Sequence, residues 1–330
     1  MNYDVSIVVP VYNVSRFIER CLHSLFGQTY RNIQFVFIDD CTPDNSIEIL
    51  HKVLEQYPQR KNDVKVISHE KNRGLAAARN TGVENADGEY IQHIDSDDYV
   101  DTKMIEEMFT LAKKENADIV VCDIMIQWEN TQKVAKQNFE SKDKYLSDLL
   151  NTTAMPGVVN KLIRKKLYTD NDIYPLEGIN LGEDYITTPR LVFVSEVISK
   201  IDYPFYHYVQ YNEGSYTAVM STKSVKDLKF GLNFLYEYFK ETTKFISLKN
   251  DLLKGQLIKK LDIIAKIDKD RRASIFEMFE ESNIMALSTP LAVRDRVIFR
   301  LCKKNHFTLL DFFLTMYGRL FGIVQRLKGR

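Results

Sequence analysis

The sequence predicts an α/β fold, with a mostly parallel sheet flanked by helices and a helical C-terminal extension. Three observations carry that expectation. Short apolar runs rich in β-branched residues recur through the first 125 residues. Amphipathic helical patterns lie between those runs. Beyond about residue 220 the pattern turns mostly helical and basic. Strands that are apolar along nearly their whole length are buried on both faces, which is how parallel strands joined by crossover helices pack.

In chain order, Val5–Val11 reads as the first strand and residues 15–28 as a helix, with Phe17, Ile18, Cys21, Leu22, Leu25 and Phe26 at helical spacing. Ile33–Ile38 is the second strand. The next helix gathers Ile47, Leu50, Val53, Leu54 and Tyr57 on one face, and Asn45 with Glu48 has the spacing of a capping box. Val64–Ile67 and Tyr90–Ile94 are further strands, separated by a helix over 75–84. Residues 102–116 read as helix and Ile119–Cys122 as strand. Residues 126–215 are less regular, with helices near 142–151 and 184–193 and strand-like stretches over 197–209. No internal repeat or low-complexity linker is visible.

Composition narrows the class. A chain of 330 residues with 45% hydrophobic and 12% aromatic content buries a large core, as one main domain plus an appendage. Its formal charge is zero, so no global pull toward nucleic acid follows. Residues 1–215 nevertheless carry 23 basic and 33 acidic side chains, and 216–330 carry 22 and 12. Cys21, Cys41, Cys122 and Cys302 lie far apart without CxxC spacing, which argues against a zinc ribbon or disulfide scaffold and for a reducing compartment. No signal-peptide pattern precedes the first strand, and the expected location is cytoplasmic.

Open α/β sheets bind ligands at the carboxyl ends of their strands. Pro10–Asn13, Asp39–Asp40 and Asp95–Asp98 each end a strand, so all three fall on one rim. Asp95-Ser96-Asp97-Asp98 is the most informative of them. Several carboxylates at the end of a buried strand are costly without a positive partner, and a divalent metal holding a diphosphate supplies one. An acidic turn capping the helix that begins near Asp101 is the other reading.

These segments together resemble a known family. Ser6–Asn13, Ile38–Asp44, Asn72–Asn80, Gly88–Tyr90 and Asp95–Asp98 occur in the order and spacing of the family 2 inverting glycosyltransferases, of the type that builds bacterial surface polysaccharides. Gly182-Glu183-Asp184, ahead of an amphipathic helix, matches that family's acidic pair. The resemblance covers roughly residues 3–215 and implies the Rossmann-like GT-A fold. It divides the chain into a glycosyltransferase domain over 1–215, with a nucleotide-binding half over about 1–125 and an acceptor half over about 126–215, and a helical basic region over 216–330.

The resemblance also implies roles. Asp39 accepts a hydrogen bond from the uracil imide, a cap or turn being the alternative, while Asp40 organises its loop. The family usually reads DDGSTD here; Cys41 in place of glycine removes easy access to positive φ and predicts a differently shaped loop. Pro10 and Val11 end the first strand, Tyr12 packs on the nucleobase or is a core or loop-packing aromatic, and Asn13 fixes the loop. Asn72 precedes Gly74, which opens a small-residue helix able to approach a ligand or the sheet closely. Arg79 on that helix serves the diphosphate, holds the aspartate cluster, or forms a plain surface ion pair.

Within the tetrad, Asp97 is the candidate metal ligand. Asp95 contacts the metal or the ribose, Ser96 lies with the nucleotide, and Asp98 supports the loop and the next helix. A Mg²⁺ or Mn²⁺ between the phosphates would neutralise charge on the leaving nucleoside diphosphate. Asp184 is the candidate general base. Glu183 points elsewhere and orients or binds the acceptor, although both acids also suit a helix first turn. Asn160 and Lys161 line the acceptor side, unless Lys161 is a solvated charge. His207 approaches the metal or phosphates or is structural, and Asn212–Ser215 corresponds to a mobile loop in the family.

The implied activity is transfer of a hexosyl or N-acetylhexosaminyl group from a nucleotide sugar, UDP-linked, to a saccharide or lipid-linked acceptor. A related nucleotidyltransferase would carry a glycine-rich, basic segment after strand one, and a dinucleotide-binding oxidoreductase a GxGxxG there; this chain has neither. A non-catalytic sugar-nucleotide-binding or scaffold protein remains the alternative, opposed by the presence of both Asp97 and Asp184. Finally, Phe307, Leu310, Phe313, Leu314, Tyr317, Phe321, Val324 and Leu327 form one helical stripe flanked by basic residues in the segment 303–330. Asp311 and Arg319 interrupt it, so it reads as an interfacial helix on an anionic membrane at the inner face of the plasma membrane, or as a helix packed against the catalytic domain, rather than a spanning helix.

Overall fold

A computed structural model describes residues 3–179, 181–211, 221–288 and 290–327, with side chains described to residue 320. The chain forms two compact units. One comprises Met1–Lys144 and Pro156–Ser215, the other Tyr145–Met155 and Tyr216–Arg330.

The first unit is built on a sheet. Its early elements are β1 (Val5–Val11), α1 (Ile18–Phe26), β2 (Ile33–Asp39), α2 (Ser46–Leu54), β3 (Val64–Ser68), α3 (Leu75–Glu84) and β4 (Tyr90–His93). They are followed by β5 (Tyr99–Val100), α4 (Met104–Glu115), β6 (Ile119–Gln127), β7 (Gln132–Ala135) and α5 (Lys142–Leu150), most of which belongs to the second unit. Then come β8 (Lys161–Arg164), α6 (Lys166–Thr169), α7 (Glu183–Val194) and β9 (Ile198–Val209). The strand order is β3-β2-β1-β4-β8-β6-β9-β5, with β7 on β6.

From β3 to β4 every pairing is parallel, as the continuous apolar runs predict. Every residue of β1 and β4 is buried. Beyond β4 the sheet is mixed, because β8 runs antiparallel to both β4 and β6, and β5 antiparallel to β9. Register fixes the rim. Val11 pairs with Asp39 and Val8 with His93, so the carboxyl ends of β1, β2 and β4 lie side by side.

Helix α3 lies close to that sheet because its inner face is small. Ala76, Ala77 and Ala78 are buried, and a Cβ at Gly82 would stand 2.1 Å from Cγ1 of Val8 in β1. Only glycine permits that separation.

In the second unit, α8 (Thr222–Lys240), α10 (Arg272–Phe276), α11 (Met285–Ser288) and α12 (Val293–Lys303) all pack on α9 (Phe245–Lys266). Lys260 in α9 is fully buried and donates to the Met278 carbonyl (2.9 Å) and to Asn283 Oδ1 (2.6 Å). Helix α13 (Phe307–Leu327) packs on α12, with Leu310 buried and Phe307, Phe313 and Leu314 half-buried. Part of the anticipated stripe therefore packs on α12, within its own unit. The side chains of Phe321, Val324 and Leu327, and the residues Asn212–Ser215, lie outside the described set. Among the described residues no helix is long and apolar enough to cross a membrane.

Candidate active site

Two loops on the rim are stitched together. After β1, the Asn13 N–H donates to Thr42 Oγ1 (2.8 Å) and the Ser15 N–H to Asp44 Oδ2 (2.8 Å). Asp44 Oδ1 also accepts from Thr42 Oγ1 and from the backbone N–H and hydroxyl of Ser46. Burial works against that carboxylate, yet the bonds from Ser46, Ser15 and Thr42 hold its pKa down to about 2. The capping box expected from Asn45 and Glu48 does not form, since the Asn45 side chain makes no cap bond. Asp44 reaches the helix start first.

Cys41 adopts φ of +57°. The anticipated loss of positive φ therefore does not occur, and the loop tolerates a left-handed cysteine at a local cost of about 1–2 kcal/mol. What holds it is Asp39, whose Oδ1 accepts from the Thr42 N–H (2.8 Å) and whose Oδ2 accepts from Ser68 Oγ (3.0 Å). Tyr12 stands 42% exposed beside it, so it is not a core aromatic. Pro10 and Val11 are buried within β1.

Asp40 is buried and assembles the next loop. It accepts from His69 Nδ1 (2.7 Å) and the Arg73 N–H (2.8 Å) on one oxygen and from the Gly74 N–H (2.8 Å) on the other. Gly74 sits at φ +88°, ψ +168°, a region essentially reserved for glycine. Asn72 lies exposed on this loop, and α3 starts directly after it.

Arg79, one turn into α3, is 1% exposed. Its Nη2 donates to Asp95 Oδ1 (2.9 Å), and its Nη1 donates to Glu183 Oε1 (2.5 Å) and Asp184 Oδ1 (2.7 Å). One guanidinium thus joins the end of β4 to the start of α7. The surface-ion-pair reading of Arg79 fails on burial alone. Glu183, expected to point away from its neighbour, converges with it on the same nitrogen.

The four tetrad residues differ in burial. Asp98 is fully buried and accepts from the Tyr206 hydroxyl (2.5 Å) and the Val209 N–H (2.7 Å), so it ties the loop to β9 rather than to the next helix. Burial, and then the charges of Asp97 and Asp95, push its carboxyl well above the usual range. Ser96 is buried, while Asp95 and Asp97 are half-buried.

Burial raises the Glu183 carboxyl, and the charge of Asp184 adds to that against the pull of Arg79. Burial raises Asp184 too, with Arg79 and Lys161 opposing. Lys161 is fully buried, so it is no solvated charge. Its Nζ donates to the Gly157 carbonyl (2.6 Å) and to Asn160 Oδ1 (2.9 Å), and Asn160 Nδ2 donates to the Cys122 carbonyl (2.6 Å). Burial lowers the Lys161 pKa to about 8. His93 lies buried near Arg79, and burial with that charge keeps its imidazole neutral.

His207 stacks on Tyr99, its strand partner, with ring centroids 4.3 Å apart and planes 11° apart. That is a structural role. Arg20 lies 4.2 Å over the Tyr99 ring and donates to the Tyr211 hydroxyl (2.6 Å). Arg20 carries no sequence signal, because only the fold brings α1 against Tyr99, and His93, two residues before the tetrad, meets the charge of Arg79 only through the packing of α3.

A divalent cation suits this donor set. Asp95 and Asp184 meet on the Arg79 guanidinium, and Asp97 stands half-buried in the same loop as Asp95. Among the described residues no group of three or more His, Cys, Asp or Glu could hold an ion unaided. Two carboxylates completed by diphosphate oxygens and water match what Mg²⁺ accepts.

The family model for glycosyl transferase family 2 matches residues 6–170. EpsH of Bacillus subtilis (strain 168) is 34% identical over 212 residues, which are 62% of this chain and 60% of that protein's length. Among solved structures, Staphylococcus aureus TarS 1-349 in complex with UDP superposes with a TM-score of 0.69 at 18% identity, covering 96% of this chain and 91% of that one. The mannosyltransferase PcManGT from Pyrobaculum calidifontis, in complex with GDP-Man and Mn²⁺, gives a TM-score of 0.52 at 15% identity, covering 99% and 88%. Both likenesses are of fold.

Proposed function

The chain belongs to glycosyltransferase family 2, and from that premise we propose that it is an inverting glycosyltransferase. It moves a hexosyl or N-acetylhexosaminyl group from a UDP-linked donor to a hydroxyl of a saccharide or lipid-linked saccharide, in surface polysaccharide synthesis at the cytoplasmic face of the membrane. The observation that carries the proposal is the convergence of Asp95, Glu183 and Asp184 on the buried Arg79. Binding a nucleotide alone has no need for a second acidic pair beside the first. The likeness to a UDP-bound structure favours uridine.

In this proposal residues 1–125 hold the donor and 126–215 receive the acceptor. Asp39 accepts from the uracil imide and Tyr12 covers the base, with Pro10, Val11 and Asn13 shaping the loop. Asn72, Gly74 and Ser96 line the sugar-nucleotide path, and Arg79 keeps Asp95 aimed. Asp95 and Asp97 would hold a Mg²⁺ or Mn²⁺, which would neutralise the charge of the leaving diphosphate; the Mn²⁺ in the mannosyltransferase complex supports that choice.

Asp184 takes the proton from the acceptor hydroxyl as its oxygen attacks the anomeric carbon, opposite the leaving group. The bond from that carbon to the diphosphate oxygen breaks, and UDP departs. Glu183, Asn160 and Lys161 shape the acceptor side, with the Lys161 charge favouring ionised Asp184. The test is Asp184→Asn, which is expected to abolish transfer while UDP affinity stays within about twofold of wild type. Equal loss of both would remove Asp184 from the role of base.

A further inference from the structure

Helix α13 is apolar on two sides. Leu310 faces inward and is fully buried. Leu309, Phe312, Met316 and Leu320, spaced three, four and four residues apart, stand between 41% and 65% exposed. Their row extends about 16 Å along the helix. A lone exposed leucine is ordinary, but a continuous apolar row marks a contact surface.

Charge says what it contacts. Residues 300–330 hold seven basic side chains, among them the exposed Arg300, Lys303, Lys304 and Arg319, against the single acid Asp311, a net charge of +6. Asp311 is itself paired with Arg272 (3.1 Å), which blunts its repulsion of anions. A second copy of the chain on this face would bring two such segments together, and like charges across an interface are unfavourable. No described helix is long and apolar enough to span a bilayer, whereas an apolar row beside basic side chains suits one lying in the plane of a headgroup layer.

We infer that α13 is an in-plane anchor whose outer row, Leu309, Phe312, Met316 and Leu320, docks on an anionic phospholipid surface. The docking side is not the stripe through Phe307, Leu310, Phe313 and Leu314, which α13 turns toward its own unit. The inference deepens the lipid-linked acceptor proposed above, but its measurement does not depend on that reaction.

The 330-residue chain is sedimented with vesicles of mixed phosphatidylglycerol and phosphatidylcholine, and with phosphatidylcholine alone. It is expected to pellet with the anionic vesicles only, and less so as salt rises. Phe312→Glu with Leu320→Glu should lower the bound fraction about tenfold or more. Phe312→Leu should retain binding. Light scattering and the UDP-induced thermal shift should match wild type in every variant, showing an intact fold. Wild type that ignores anionic vesicles, or a double variant that binds them normally, would overturn the anchor. A wild-type dimer that the double variant splits, with no vesicle binding by either, would instead assign the row to a second copy. Failure to transfer any UDP-sugar to a soluble acceptor would sink the reaction alone.

Discussion

Arg79 divides one positive charge among three carboxylates, and the Lys161 charge acts on Asp184 as a second cation. Charged groups that act on Asp184 include Arg79 from α3, Glu183 from its own helix, Asp95 from the β4 loop and Lys161 from β8, and the Val158 backbone bonds to it. The two cations favour the ionised carboxylate; Asp95 and burial oppose it. Lys161→Met removes one favourable charge, so the Asp184 pKa should rise and the acid limb of the kcat/KM profile should move to higher pH. Loss of packing alone would lower the profile without moving that limb. The two acceptors left bare by the substitution, Gly157 O and Asn160 Oδ1, should cost about 1–3 kcal/mol in stability, read by denaturant unfolding. At this scale the sequence points to the acids but not to the groups that hold them. Asp39, Asp95 and Asp184 are legible from strand ends and helix starts. The shared guanidinium is not, because residues 79 and 183 meet only through tertiary packing. Cys41 taught the opposite lesson: a propensity argument against positive φ lost to the bonds that Asp39 and Asp44 make on either side of it.

Among the elements, α3 does the positioning. Its seat on β1 depends on Gly82, so Gly82→Ala should destabilise the protein by about 1–3 kcal/mol through overpacking against Val8. Val8→Ala makes room for the new methyl. The double variant should therefore cost less than the sum of the single ones, a coupling that urea unfolding measures. Strands β1 to β4 and helices α1 and α2 of this half are readable from apolar runs and helical spacing. Strands β5, β7 and β8 are not, since they are short and their pairing is set by distant partners. The antiparallel insertion of β8 between β4 and β6 is why the parallel pattern ends there.

For the molecule as a whole, the charge asymmetry between residues 1–215 and 216–330 reflects two separate demands. The acidic excess of the first includes the aspartates proposed to meet a cation, and the basic excess of the second includes the proposed anchor. EDTA should therefore remove most of the UDP-induced rise in Tm, and Mn²⁺ should restore it. Asp97→Ala should make the UDP response indifferent to both. A UDP shift unchanged by EDTA in wild type would dismiss the metal.

The close seating of α3 also bears on how this protein can be altered. The positions that seat this helix carry no polar side-chain group: Ala76, Ala77 and Ala78 are buried and Gly82 lies against Val8, on the helix that brings Arg79 to the carboxylates. A mutagenesis library aimed at a new donor should leave that quartet untouched and diversify Tyr12 and Asn72, which are exposed on the rim loops. Variation would then be spent where the scaffold is indifferent, and the charge network would be inherited intact by every member.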